Sequence, residues 1–183
     1  MQITKIEPKT LTYRLSLDKE DPDYYKCVWA EFLLDLDAYR LTIYGDFNGE
    51  YSYCWGTNEH ETFLSLMSRI GEDYLLNKIS SRSEFVLSES KAETIRYMES
   101  FGYEYFNIKS EAAWQSVRDE ILNMNEFTSE EAFFEGVNSA VPKIDFEDIC
   151  IVKDYPRSAK LAAHLFTSYL QPELKELNKG ASS

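Results

Sequence analysis

The two histidines are the side chains best suited to acid–base chemistry in this 183-residue chain. His60 stands between two glutamates at a predicted helix start, where a metal ligand or a general base is conceivable. The His-Glu-x-x-His spacing of a zinc metalloprotease fails, because position 64 is a leucine. His164 falls on the polar side of the last predicted helix together with Lys160. We interpret both histidines as solvated surface residues, which gives triad chemistry little to build on.

Carboxylates are abundant, but their spacing does not indicate a catalytic site. Acidic pairs such as Asp21 and Asp23 arise by chance in a chain with 32 acidic residues. A metal-dependent nuclease would need an aspartate followed by a Glu-x-Lys strand, whereas the triplet from Glu173 to Lys175 lies on a predicted helix. No glycine-rich phosphate-binding loop is present. The sequence therefore predicts no catalytic residues, no metal, no cofactor, and a protein that is not an enzyme.

The cysteines and the termini indicate the compartment. Cys27, Cys54 and Cys150 are odd in number and far apart, so neither a disulfide framework nor a zinc cluster is predicted. We interpret them as small buried hydrophobic residues in a reducing environment. No secretion signal opens the chain, and no apolar run approaches the ~18 residues of a membrane helix. These features predict a cytoplasmic protein with no membrane partner.

The first third of the chain is typical of β-strands. Its segments are rich in Tyr, Thr, Val, Ile and Phe and are separated by clusters of turn residues. The predicted strands are Ile3–Ile6, Thr10–Leu17, Tyr25–Leu34, Tyr39–Phe47 and Glu50–Trp55. Asn48-Gly49 separates the last two, and this dipeptide favours a two-residue hairpin turn because both residues accept positive φ.

From about residue 58 the apolar period changes from two to nearly four, which indicates helices. Helix capping boxes are predicted at Asn58 with Glu61, Ser90 with Glu93, and Thr128 with Glu131. A late strand, Ile149 to Val152, is predicted to return to the sheet. Strands followed by helices predict an α+β fold, with an antiparallel sheet of four or five strands covered by C-terminal helices. We expect one domain over 1–183, with strands in 1–57, helices in 58–177 and a tail in 178–183.

The two-residue turn also predicts which side chains share a face of the hairpin. The expected pairs are Phe47–Glu50, Asp46–Tyr51, Tyr44–Tyr53 and Thr42–Trp55. One face would carry Leu41, Ile43, Phe47 and Cys54, and the other Tyr44, Tyr51, Tyr53 and Trp55. We expect the aromatic face to pack against a helix, but if exposed it is a binding candidate, since Tyr and Trp are enriched among interface hot spots.

Negative charge is concentrated in the middle of the chain. The formal net charge is −13, and residues 111–147 carry nine acidic but only two basic side chains. A solvated face would account for this, whereas an acidic surface that engages a basic partner groove is the functional interpretation. The candidate partner-binding carboxylates are Glu111, Asp119, Glu120, Glu126, Glu130, Glu131 and Glu135. A pI near 4.6 disfavours direct binding of DNA or RNA, because phosphates would be repelled.

The hairpin and the helix that follows it carry a resemblance to a known family. Gly49-Glu50-Tyr51-Ser52-Tyr53-Cys54-Trp55-Gly56 fits the pattern G-x-Y-x-Y-x-W-G, and Phe63-Leu64, Asp73-Tyr74 and Lys78-Ile79 follow it. This order resembles small phage and prophage proteins, most of them uncharacterised. The segment from Tyr155-Pro156 to Leu174 is similar to their closing helix. The resemblance implies a mobile-element gene acting inside a bacterial host cell, and it implies no catalytic residues.

By analogy with acidic phage accessory proteins, we expect an interaction protein that inhibits a host defence effector. It would occlude a basic nucleic-acid-binding groove, with a CRISPR effector as the leading partner class. Two alternatives stay open. One is a phage structural or regulatory homo-oligomer, and the other is a small metal-dependent nucleotide-processing enzyme. The sequence leaves the oligomeric state open.

Overall fold

The chain forms an α+β fold, as the change of period predicts. A computed structural model describes residues 9–56, 60–142 and 144–180. These residues fall into two compact units. We call the described residues up to Ser81, together with those from Tyr155 onward, the sheet unit, and Arg82–Asp154 the helical unit. The single domain expected from the sequence stays a prediction.

The sheet unit begins with four antiparallel strands in sequential order. They are β1 (Thr10–Ser16), β2 (Trp29–Asp35), β3 (Arg40–Gly45) and β4 (Glu50–Cys54). These match four of the predicted strands, and the fifth, Ile3–Ile6, lies outside the described residues. Alternate residues of β2, among them Phe32 and Leu34, are fully buried, because successive side chains point to opposite faces.

The predicted hairpin register is wrong. Tyr44 pairs with Glu50, so the five residues 45–49 separate the strands instead of two. The cause is Asp46, whose Oδ2 accepts a 2.8 Å hydrogen bond from the Val28 amide while its own amide donates to the Trp29 carbonyl. Asp46 therefore leaves the β3–β4 ladder and ties the turn to the start of β2.

Gly45, at the end of β3, is required by close packing. A Cβ there would lie 2.6 Å from the Trp29 carbonyl oxygen and 2.8 Å from the Phe47 ring. We expect Gly45→Ala to lower the free energy of unfolding by about 1–3 kcal/mol, because the crowded backbone must shift. Gly56→Ala is the control, since its Cβ would meet no atom within 4 Å. Urea denaturation measures both variants, and equal stability of the two would contradict the packing argument.

Helices cover one face of this sheet. They are α1 (Phe63–Arg69), α2 (Glu72–Ile79), α6 (Arg157–Leu165) and α7 (Gln171–Gly180). Their apolar sides join the buried face of the sheet in one core, where the Phe32 and Phe166 rings meet edge to face at 6.1 Å. Burial of this apolar surface is the main driving force for folding of the unit.

A π-helical segment, Phe166–Leu170, joins α6 to α7. Pro172 is the second residue of α7, two positions after the π-helical segment ends. Proline has no amide proton for the Ser168 carbonyl and its ring clashes with that group, so the backbone widens locally. The wider turn places Tyr169 and Leu170 against the sheet unit core.

The helical unit buries a separate core. It contains α3 (Leu87–Phe101), α4 (Glu111–Leu122), α5 (Glu130–Ala140), a 3₁₀ turn (Phe146–Asp148) and the short strands β5 (Glu84–Phe85) and β6 (Lys153–Asp154). Phe133, Met98 and Ile121 are fully buried at its centre. The prediction that Ile149 to Val152 returns to the sheet is wrong, because the strand forms at 153–154 and pairs with β5.

The predicted capping boxes are shifted or absent. The N-cap of α5 is Ser129 and not the predicted Thr128, because the Ser129 Oγ accepts a hydrogen bond from the Ala132 amide. Ser90 lies inside α3, fully buried, and its Oγ accepts from the Val152 amide at 2.8 Å. Asn58 lies outside the described residues, and Thr62 caps α1.

Candidate functional site

Helix α4 carries three of the candidate carboxylates. Ser110 caps it by accepting from the Ala113 amide, and Trp114 and Ile121 turn inward. The carboxylates Glu111, Asp119 and Glu120 are exposed. At about 3.6 residues per turn, Asp119 faces away from the buried stripe, whereas Glu111 and Glu120 lie on its opposite flanks. The carboxylates therefore cover the solvent half of α4 and do not form a narrow line.

Helix α5 and the segment before it carry the other four. Phe133 and Val137 anchor the helix in the core. Glu131 and Glu135 are exposed and one turn apart, on the side away from those anchors. Glu126 is exposed in the segment between the helices, and Glu130 begins α5.

Ion pairs neutralise few of these carboxylates. Lys153 Nζ lies 2.8 Å from Glu130 Oε1, whereas the nearby Arg118 pairs at 3.6 Å with Glu99, outside the candidate set. The pKa of Glu131 is held below its usual value, first by its own backbone amide and then by Ser129, both at the helix N-terminus. Within the described residues, no basic side chain pairs with the remaining candidates Glu111, Asp119, Glu120, Glu126 and Glu135.

The charge follows the division into units. Residues 82–154 contain 16 acidic and seven basic side chains, a net charge of −9, although they make up less than half of the chain. The remaining residues have 16 acidic and 12 basic side chains, a net charge of −4. The helical unit is therefore the strongly anionic part of the protein.

The four hairpin aromatics lie in the sheet unit and do not share a face, which corrects the predicted aromatic face. Residues directly opposite in an antiparallel pair share a face, so Tyr51 and Tyr53 lie on the core side with Ile43 and Leu41. Tyr44 lies on the other side, where its hydroxyl donates to Glu31.

Each of the two core-side tyrosines and Trp55 has a structural partner. The Tyr51 hydroxyl lies 2.7 Å from Ser158 Oγ, and Tyr53 meets the Trp55 ring edge to face at 4.8 Å. Trp55 is only 7% exposed, and its Nε1 donates to the Tyr74 hydroxyl. These contacts stabilise the sheet unit, and a partner-binding role for the four aromatics stays a prediction.

Sequence reasoning missed a polar cluster around Asp23. His164 was expected to be solvated, but its Nε2 lies 2.9 Å from Asp23 Oδ2, and the Asp23 side chain is only 6% exposed. Lys26 Nζ donates to Oδ1 at 2.8 Å, and the Tyr169 hydroxyl donates to Oδ2. The Lys26 hydrogen bond is the main reason that the pKa of Asp23 is low; His164 adds to it, and burial opposes it.

The other imidazole nitrogen of His164 faces Ser168 Oγ at 3.3 Å and Glu72 Oε2 at 3.7 Å. Ser168 is one helical turn after His164, and Glu72 shares the same nitrogen. We interpret the cluster as a structural link between the 18–26 loop and α6. The sequence does not predict this cluster, because Asp23 and His164 are 141 residues apart along the chain.

The last candidates are His60 and the three cysteines. His60 is exposed. Cys27 is buried and Cys150 half-buried, but Cys54 is exposed, which corrects its predicted burial; the three are free thiols. Over the described ranges, no group of three or more His, Cys, Asp or Glu side chains is placed to hold a metal ion. In the same part of the chain, no helix has both the length and the apolarity that a membrane span needs.

The fold and charge thus define an α+β protein with an anionic helical unit. A family model described as a phage family matches residues 1–176. The chain therefore belongs to this phage protein family, in agreement with the resemblance of its hairpin and closing helix. No curated protein and no solved structure matches the chain.

Proposed function

We propose that this phage protein is a non-enzymatic inhibitor that binds a host protein through the exposed carboxylates of its helical unit. The partner is a defence effector with a basic nucleic-acid-binding groove, and a CRISPR effector is the leading class. The chain occupies the groove in place of phosphates, so that the effector cannot engage its nucleic acid.

One observation carries the proposal. Six of the seven candidate carboxylates, all except Glu130, are exposed and have no ion pair among the described residues, within a unit of net charge −9. Charges without partners lose no existing ion pair when a basic surface approaches. Each pair adds on the order of 1 kcal/mol where it is desolvated and less at a rim, so several must act together. Membership of a phage family supports a host protein as the partner.

The hairpin aromatics contribute less than the sequence suggests. Trp55 is buried, so it offers little surface to a partner in the folded protein. Tyr44, Tyr51 and Tyr53 keep part of their surface accessible, but they belong to the sheet unit. The carboxylates alone therefore define the proposed contact.

Charge reversal tests the proposal directly. The full chain is immobilised, a host protein is captured from bacterial lysate and identified, and the chain then competes with labelled duplex DNA or guide RNA for that protein. We expect the wild type to displace the nucleic acid. The test variant carries four substitutions, Glu126→Lys, Glu130→Lys, Glu131→Lys and Glu135→Lys. Its apparent affinity in the competition should fall at least about 100-fold, since four favourable charge pairs become repulsive.

A second reversal controls for net charge. Asp18→Lys, Glu20→Lys, Glu50→Lys, Asp73→Lys changes the net charge by the same amount on exposed residues of the sheet unit. Asp73 lies in the first turn of α2, as Glu130 and Glu131 lie in that of α5, so the control includes one of the two helix-dipole costs of the test variant. Circular dichroism confirms that both variants fold. Equal loss in both variants would reject the localised contact, and a dimeric mass by light scattering without competition would favour the homo-oligomer.

A further inference from the structure

A small cavity opens on the helical unit between the end of α3 and the 3₁₀ turn. Its volume is about 160 Å³, and it is lined by Tyr105, Phe106, Asn107, Val141, Ile144, Asp145 and Asp148. Phe106, Val141 and Ile144 are the buried residues of its lining. Asp145, Asn107 and Tyr105 are exposed and form the rim. Among the described residues that line it, two are acidic, Asp145 and Asp148, and none is basic.

The cavity is bordered by a row of aromatic rings. Tyr97 and Phe101 lie 4.8 Å apart between centroids, and Phe101 and Tyr105 lie 5.4 Å apart. Phe101 is 54% exposed and Tyr105 is 61% exposed, which is unusual for large aromatic side chains in a folded unit. Their ring faces carry negative electrostatic potential and attract cations.

The two carboxylates have unused acceptor capacity. The Tyr97 hydroxyl donates to Asp148 Oδ1 at 3.1 Å. Burial, followed by the Asp148 carboxylate, raises the pKa of Tyr97, so its hydroxyl stays a donor and Asp148 stays the acceptor. Within the part of the chain that the structure describes, no donor bonds Asp148 Oδ2 or the carboxylate of Asp145.

The volume limits what the cavity can hold. Pockets for drug-sized ligands measure about 300–1,000 Å³, so a nucleotide is too large for this one. At about 30 Å³ per water, the cavity holds the equivalent of about five water molecules, which suits the end of one side chain. A planar guanidinium fits both the exposed aromatic ring and the carboxylates of this cavity. It stacks on the ring and donates two parallel hydrogen bonds to a carboxylate.

We propose that this cavity binds an arginine side chain of the protein partner, between the Tyr105 ring and the carboxylates of Asp145 and Asp148. The inference rests on the proposed function for the source of the arginine. It adds a specific anchor to a contact that otherwise depends on distributed charge. Arginine is enriched among interface hot spots, and such anchors dominate the binding energy.

Amide chemical shifts of the ¹⁵N-labelled full chain test the site with a defined probe, N-acetyl-arginine methylamide. We expect saturable shifts confined to residues 105–108, to Val141 and to residues 144–149. The neutral analogue N-acetyl-citrulline methylamide has nearly the same shape and should shift them at least about fivefold less. Asp148→Asn keeps the acceptor for Tyr97 and should weaken arginine binding by about fivefold or more. Tyr105→Leu, which keeps both carboxylates, should also weaken it.

Glu89→Gln is the matched control, because it removes one exposed charge of the helical unit away from the cavity. Equal weakening by Glu89→Gln and Asp148→Asn would overturn the proposal, as would equal shifts with the citrulline probe. The two proposals fail separately. If arginine causes no shifts, the arginine site is rejected, but the proposed competition with nucleic acid is not affected. If the chain does not compete with nucleic acid, the proposed function is rejected, but the arginine titration still tests the cavity.

Discussion

Phe133→Ala is expected to lower the free energy of unfolding by about 3–5 kcal/mol, the usual range for a buried phenylalanine. Phe133 is fully buried, and its ring lies 5.7 Å from that of Phe85 between centroids. Its removal leaves a cavity at the centre of the core that holds α5 in place. Because α5 carries Glu130, Glu131 and Glu135, we also expect weaker competition with nucleic acid.

Urea denaturation measures the stability loss, and amide hydrogen exchange locates it. Protection should fall first in α3, α4 and α5, since local opening follows local packing. Phe146→Ala is the control, because that ring is 58% exposed and its loss should change stability by no more than about 1 kcal/mol. Comparable losses in both variants would contradict the assignment of Phe133 to the centre of the core.

Asp23→Ala is expected to destabilise the protein at pH 7 by about 2–3 kcal/mol. The change leaves Lys26, His164 and Tyr169 without the carboxylate that each of them contacts. Hydrogen bonds to a charged group are worth more than neutral ones, but Lys26 and His164 are partly exposed and water offsets part of the loss. Thermal and urea unfolding measure the effect. Asp18→Ala, an exposed neighbour, is the control, and it should stay within about 0.5 kcal/mol of the wild type.

The pH dependence of this difference has a defined sign. The pKa of Asp23 is lower in the folded state, so its stabilisation is present above the unfolded pKa of about 3.9 and is lost as the pH falls through the folded value. The charged and titratable neighbours that face it are Lys26, His164 and Tyr169, with Glu72 on the far side of the imidazole. The stability difference between wild type and Asp23→Ala should therefore narrow as the pH falls below about 3.9. A constant difference from pH 7 to pH 2 would show that the carboxylate charge does not contribute.

The sequence predicts most of the sheet, because strands carry a local signal. β1, β3 and β4 begin within one residue of their predicted positions, and Trp29–Asp35 lies largely within the predicted Tyr25–Leu34. The register of the hairpin is not a local property. Asn48-Gly49 favours a tight turn, but the Asp46 side chain accepts hydrogen bonds from the amide of Val28, which lies just before β2 and 18 residues away. One such contact moves Tyr51 and Tyr53 to the core side of the sheet.

The candidate site divides in the same way into local and non-local properties. The concentration of negative charge can be counted along the chain. The exposure of the carboxylates on α4 and α5 follows from helical periodicity, once Trp114 and Phe133 are known to face the core. The anionic character of the helical unit is therefore predictable from the sequence.

Ion pairing and the cavity are not predictable in this way. Glu130 meets Lys153, and Arg118 turns to Glu99, only in the folded unit. The cavity is likewise hidden from the sequence, since its lining comes from two segments more than 30 residues apart. Both features depend on contacts between residues that are distant along the chain.

The short ladder between β5 and β6 has a consequence for how such a chain can change. Glu84 pairs with Asp154, so the chain enters the helical unit and leaves it at neighbouring points. Insertions and exchanges of whole segments are tolerated best where the two ends already meet. A stretch of some seventy residues could thus be excised, with one short loop closing the gap, or replaced by another of the same end spacing.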